Sequence, residues 1–151
     1  MPDIRIFMSF DSDHDVDLYN RIAEQSLNAS SGFEISDRSD SSTLTELWEE
    51  RVRRQIRNAD EVIVICGEHT DASPRVSTEL RIAREEQKPY FLLWGRRERM
   101  CTRPTGANAT DSMYSWTREI LQYQIGLTLR NAQPREIPDN CKRNPSANRS
   151  A

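Results

Sequence analysis

The chain of 151 residues carries a formal net charge of −3, with 36% hydrophobic and 30% charged residues. That length suits one domain with a single core, and the slightly acidic balance gives no general attraction for nucleic acid or an acidic membrane surface. No apolar run approaches the ~20 residues of a membrane-spanning helix. The start MPDIRIF lacks a secretory pattern, and Cys66, Cys101 and Cys141 form no C-x-x-C pair, so a soluble cytoplasmic protein with reduced thiols and no metal site is expected.

Residues 3–10, DIRIFMSF, are apolar enough for a central strand, and the cluster Asp11-Ser12-Asp13-His14-Asp15 then starts a helix. Val16, Tyr19, Ile22, Ala23 and Leu27 recur at helical spacing until a small polar group at 28–32 closes that helix. A short second strand, 33–35, leads into a loop at 36–42 whose serines and aspartates bond their own backbone. Thr43 and Glu46 have capping-box spacing. They open a second helix that runs to about Asn58 and buries Leu44, Leu47, Trp48, Val52 and Ile56.

The run 62–66 is short and β-branched enough for a strand buried on both faces, and it is followed by a polar loop at 67–71. Ser73 stands at an N-cap position and Pro74 at the first helical position of a third helix that stops at Lys88-Pro89. YFLLW, 90–94, is a fourth strand, and 95–110 is a long loop, basic at first, in which Arg96, Arg97 and Arg99 read as solvated. A short fifth strand at 113–116 and a last helix at 117–131 complete the domain, 1–131. The proline-rich, apolar-poor remainder, 132–151, is expected to be a disordered tail.

Strands alternating with helices at this spacing call for a three-layer α/β sandwich around a parallel sheet of four to five strands, flavodoxin-like in order. In that order the loops after the first and third strands face each other, which sets 10–15 opposite 67–70. The chain has no G-x-G-x-x-G and no G-x-x-x-x-G-K-[ST]. A phosphate-accepting receiver is disfavoured because the third strand ends Cys66-Gly67, where the acceptor aspartate would stand. His14 and His69 are too few and too far apart in sequence for a metal site. Asp11, Ser12 and Asp13 have helix capping as their plain reading. Glu79 falls in the second turn of the third helix, beside Val76, Leu80 and Ala83; composition alone makes it a solvated residue paired with Arg75.

The segments RIFMSFDSDHD, FEISDRS, ELWEERVRRQIRNADEVIVICGEHT and STELRIAREEQKP, in that order, resemble the TIR-like family once catalogued as a domain of unknown function, which includes the TIR proteins of the Thoeris anti-phage system. The resemblance covers about 4–93 and is most specific over the run ending GEHT. It implies an enzyme that cleaves NAD⁺ between nicotinamide and ribose, and that makes a cyclic ADP-ribose type signal for a partner effector. NAD⁺ would be substrate, with no cofactor, and the chain could assemble with itself. The family's required glutamate matches Glu79. By the same resemblance Phe10 and Asp11 after the first strand, Asp37 and Ser39 after the second, and Glu68, His69 and Thr70 after the third would border the substrate. Trp48 reads as core. A non-catalytic interaction module and a nucleoside deoxyribosyltransferase-like enzyme are the alternatives.

Overall fold

All six residues of β3 (Glu61–Cys66) are buried, which is what an EVIVIC run achieves only at the centre of a sheet covered on both faces. The computed structural model describes residues 4–27, 32–108 and 110–132. Around β3 lie β1 (Ile4–Ser9), β2 (Phe33–Arg38), β4 (Tyr90–Trp94) and β5 (Met113–Ser115), all parallel, in the order β2-β1-β3-β4-β5. The connections are α1 (Val16–Ser26), α2 (Glu46–Asn58), α3 (Pro74–Glu85), which follows a 3-10 turn at Thr70–Ala72, and the loop between β4 and β5; α4 (Arg118–Ala132) ends the described chain. This is the flavodoxin-like architecture expected from the alternation of elements. Of the residues assigned to a tail, 132–151, Ala132 ends α4 and 133–151 lie outside the described residues, as does Cys141.

Alternate side chains of each strand divide the core into two layers. Phe7, Val62, Val64 and Leu92 pack with Trp48, Val52 and Ile56 of α2 and Val76, Ile82 and Ala83 of α3. Ile6, Met8, Ile63, Ile65 and Leu93 pack with Leu18 and Ile22 of α1 and Leu121 and Ile125 of α4. Thus α2 and α3 cover one face, and α1 and α4 the other. An ionic lattice ties α2 to α3 at the surface: Arg53 and Arg57 hold Glu86 at 2.8 and 2.7 Å, and Arg81 holds Glu49 at 3.0 Å.

Several boundaries differ from the sequence expectation. β2 continues through polar Ser36, Asp37 and Arg38, because parallel pairing with β1 uses backbone groups alone and runs to Met8 opposite Arg38 past an irregularity at Ile6/Phe7. Asp37 is therefore a strand residue. The cap of α2 is Thr45, whose hydroxyl accepts from Trp48 N at 3.1 Å, and Leu44 and Leu47 stay 40% and 78% exposed. In α1 it is Leu18 that is buried, while Val16 and Leu27 face solvent. Ser73 and Pro74 start α3 as expected, Ser73 Oγ accepting from Val76 N. The stop comes before Pro89: Gln87 adopts φ 58° and Lys88 N donates to Ala83 O at 2.9 Å.

The loop after β4 is pinned in place. Gly95 N donates to Cys66 O, Thr102 N to Gly67 O, and Asp71 N to the Thr102 hydroxyl. Arg96, expected in solvent, clamps the start of α1 through both oxygens of Asp17 (2.8 and 3.0 Å), the carbonyl of His14 and the carboxylate of Asp15.

Candidate functional site

At the carboxyl end of β1 a small polar residue, Ser9, interrupts the apolar run, and it lies on the α2/α3 side of the sheet. Its hydroxyl donates to Glu79 Oε1 at 2.7 Å. Ser39, the first residue after β2, donates to the same oxygen at 2.5 Å and accepts from Phe10 N at 3.0 Å. Glu79 reaches this point because it occupies the inward stripe of α3 between Val76 and Ala83, and the whole residue is 0% exposed. Its other oxygen, Oε2, is buried with no hydrogen-bond partner among the described residues.

Burial raises the Glu79 pKa to about 7, against the opposing pull of the Ser39 and Ser9 hydroxyls and of the nearby Arg75 charge. Near neutral pH the group therefore divides between acid and carboxylate. The expected Arg75–Glu79 ion pair does not form. Arg75 turns instead to the connection after β2, donating to Ser42 O at 2.5 Å and approaching Asp40 at 3.4 Å, with its guanidinium 5.4 Å from the Trp48 ring. Arg51 holds the same Asp40 at 2.7 Å. The segment carrying Ser39 is thus fastened at one end to the buried carboxyl and further along to α2 and α3.

Of the residues nominated from sequence, Ser39 and Glu79 meet directly. Phe10 joins them through its backbone, while its buried ring lies in the α1/α4 layer, stacked on Tyr19 at 5.1 Å beneath the Arg38 guanidinium. Asp11 folds its own loop, accepting from Asp13 N at 2.9 Å and contacting His14 Nδ1 at 2.8 Å. Asp37 is half-buried on β2, and burial raises its pKa. Thr70 is buried and accepts from Gly67 N at 2.8 Å, so its hydroxyl shapes the loop after β3. Glu68 and His69 are exposed on that loop; Glu68 faces Arg99 at 3.8 Å and the His69 ring stacks on His14 at 4.1 Å.

The loops after β1 and β3 do face each other, as the strand order requires, but they meet in close contact. A Cβ placed on Gly67 would fall onto the Asp15 carboxylate. Asp15 is 1% exposed, its Oδ2 has no partner among the described residues, and burial raises its pKa although Arg96 opposes the shift. Among the described residues no group of three or more His, Cys, Asp or Glu side chains could hold a metal ion. Cys66 is buried, and burial pushes its thiol up to about 12, which suits packing and not reactivity. Sequence reasoning overlooked Ser9, and it placed Arg75 only as a partner of Glu79. The signal for Ser9 was a lone hydroxyl at the end of an otherwise apolar strand; Arg75 gave none beyond its place one turn before Glu79.

No helix among the described residues is long and apolar enough to cross a membrane. No curated protein matches the chain. Among solved structures, the chain is similar to a response regulator receiver protein from Sinorhizobium medicae WSM419, with 12% identity and a TM-score of 0.50 over 87% of this chain and 98% of that one. A prokaryotic SEFIR domain matches with 15% identity and a TM-score of 0.49 over 88% and 94%, and a CMP N-glycosidase from Clostridium botulinum with 14% and 0.47 over 82% and 98%. The first of these likenesses speaks for the fold alone. The family model for the TIR-like domain of the Thoeris protein ThsB matches residues 7–98. That span runs from Phe7 within β1 through β4 and includes Ser9, Ser39 and Glu79, and the chain belongs to this family of Thoeris TIR-like domains.

Proposed function

We propose that the chain is an anti-phage defence enzyme of the bacterial cytoplasm that cleaves NAD⁺ at the bond between nicotinamide and ribose, with Glu79 as its catalytic residue, and releases a cyclic ADP-ribose type signal to a partner effector. The observation that carries this reading is the state of Glu79: a carboxyl at the carboxyl edge of a parallel sheet, held through one oxygen by Ser9 and Ser39, with the other oxygen buried and unclaimed among the described residues. Burying such a group costs stability, and an acid retained at that cost commonly has a chemical task.

Departure of nicotinamide leaves an oxocarbenium-like ribose. A carboxylate whose free oxygen meets the ribose hydroxyls or the developing positive charge lowers that barrier, and it does so most strongly where water is excluded. Ser9 and Ser39 fix the carboxyl's orientation and favour its ionised form. Because Glu79 is wholly enclosed, substrate reaches it only when the segment after β2 swings away from Arg75 and Arg51. No metal or cofactor enters this scheme.

Nicotinamide release from NAD⁺ by concentrated protein is the direct test, with product analysis for a cyclised ADP-ribose. Glu79→Gln is expected to reduce turnover at least ~100-fold with the fold retained. Wild-type turnover should rise as pH passes about 7, as the carboxylate form takes over. A Glu79→Gln variant as active as wild type overturns the assignment. The enclosure of Glu79 favours one second reading, a non-catalytic interaction module; that reading requires saturable self-association or partner binding that Glu79→Gln leaves unchanged.

A further inference from the structure

A large cleft lies away from Glu79, on the α1/α4 side of the sheet, where the carboxyl ends of β4 and β5 meet the second half of α1. It measures about 900 Å³, toward the upper end of the range for small-molecule sites. Its walls bring together the Trp116 indole, two guanidinium groups, Arg21 and Arg97, the polar pair Glu24 and Gln25, and the end of β4 at Trp94. The Trp94 ring itself packs on the α2/α3 face and donates its Nε1–H to Arg96 O at 2.7 Å. Arg21, Glu24 and Gln25 share one face of α1 by their spacing of three and four residues. Cleft and Glu79 are thus separated by the sheet itself.

Neither arginine has a carboxylate partner among the described residues, a state they share with Arg38, Arg54, Arg84 and Arg103. Arg51, Arg53, Arg57, Arg75, Arg81 and Arg96 each approach at least one carboxylate. Arg97 has no hydrogen bond or ion pair among the described residues, and Arg21 contacts only the Trp116 ring, 6.0 Å from its centroid. Trp116 Nε1 makes a long 3.5 Å contact to Gln25 Oε1, and Gln25 Nε2 is buried with no partner among the described residues. The cleft therefore offers two cations with no carboxylate partner among the described residues, one flat aromatic wall and an amide nitrogen without a partner there, against a single carboxylate, Glu24.

We propose that this cleft binds a nucleoside monophosphate, its base against the indole of Trp116 and its phosphate on the guanidinium groups of Arg21 and Arg97. Stacking selects a planar ring, and guanidinium is suited to phosphate because its fixed N–H donors match the phosphate oxygens in pairs. Glu24 and Gln25 supply an acceptor and a donor for ribose or base edges. A lipid would require an apolar lining, and free inorganic phosphate would leave the indole without purpose. The proposal does not rest on the activity assigned to Glu79.

The test is calorimetric titration of the full chain with AMP, GMP, CMP and UMP in turn, followed in parallel by tryptophan fluorescence, since the Trp116 indole lines the cleft. At least one nucleotide is expected to bind saturably with a Kd below ~1 mM. Ribose 5-phosphate and the matching nucleoside should each bind at least ~10-fold more weakly, since each loses one half of the recognition. Arg97→Ala, at an exposed position where folding is not at stake, should weaken the nucleotide ~10-fold or more, and Trp116→Ala should do the same. Glu79→Gln should bind as wild type does, which keeps this result separate from the fate of the NAD⁺ assignment. Absence of saturable binding by all four nucleotides, binding indifferent to Arg97→Ala, or inorganic phosphate competing as well as the nucleotide would each overturn the proposal.

Discussion

The ionisation of Glu79 is set by a contest between burial, which favours the neutral acid, and two serine hydroxyls that favour the anion. Removing a donor tips that contest in a known direction. Ser39→Ala should carry the Glu79 pKa above about 7, and Ser9→Ala should act likewise, each read from the carboxyl carbon of ¹³C-labelled glutamate across a pH titration. A hydrogen bond to a charged acceptor is generally worth ~1.5–3 kcal/mol, large enough for the displacement to be resolved; an unmoved titration would show that neither hydroxyl supports the anion. Glu79 was legible in the sequence only through family likeness, since a glutamate three residues after one apolar position and one before another looks the same whether it faces solvent or a serine. Ser9 and Ser39 lie 70 and 40 residues from Glu79, and no local pattern announces so distant a pairing.

Whole elements were easier to read than their ends. The stretch from β3 through α3 has every level in agreement: a β-branched strand, a polar loop, a serine cap and a proline in the first turn. The end of β2 and the start of α2 were misread because their governing interactions are a parallel backbone ladder and the choice between two nearby threonines, neither of which leaves a mark in hydrophobic spacing. Leu47 carried the spacing of a core residue and points outward. The end of α3 provides a measurement at this scale. Gln87 holds a left-handed backbone that costs a side-chain-bearing residue ~1 kcal/mol relative to glycine. Gln87→Gly should therefore stabilise the protein by about 0.5–1 kcal/mol in denaturant unfolding, less whatever glycine costs the unfolded chain; destabilisation would mean that the Gln87 side chain has a role of its own.

Across the molecule as a whole, two buried acids set the response to pH. Glu61, at the first position of β3, is 0% exposed, both its oxygens lack partners among the described residues, and burial with help from Asp60 raises its pKa to about 9. Glu61 and Glu79 hold protons in the folded state that the unfolded chain, with an ordinary value of 4.5, has already released. Stability should consequently fall as pH rises from about 4.5 toward 9. On the acid side, Asp17, Asp40, Glu85 and Glu86 have lowered pKa values, from Arg96 at Asp17, backbone and side-chain bonds from Ser42 at Asp40, and arginine partners at the two glutamates; their contribution disappears as they become protonated. A thermal midpoint highest near pH 5 is the expected outcome. Glu61→Gln should raise the midpoint at pH 8, by the equivalent of ~1–3 kcal/mol, and leave it nearly unchanged at pH 4.5. Equal effects at both pH values would mean that Glu61 is not held neutral.

The close fit of Gly67 against Asp15 bears on what kinds of chemistry this scaffold can accommodate. Here an aspartate from one loop is seated on bare main chain of the other, and Arg96 bolts it down from the side. The space that a bulky anion would need between those two turns is already filled by the protein's own carboxylate. A smaller residue at position 15 is the replacement that would vacate this space, and it would leave Arg96 holding Asp17 and the carbonyl of His14.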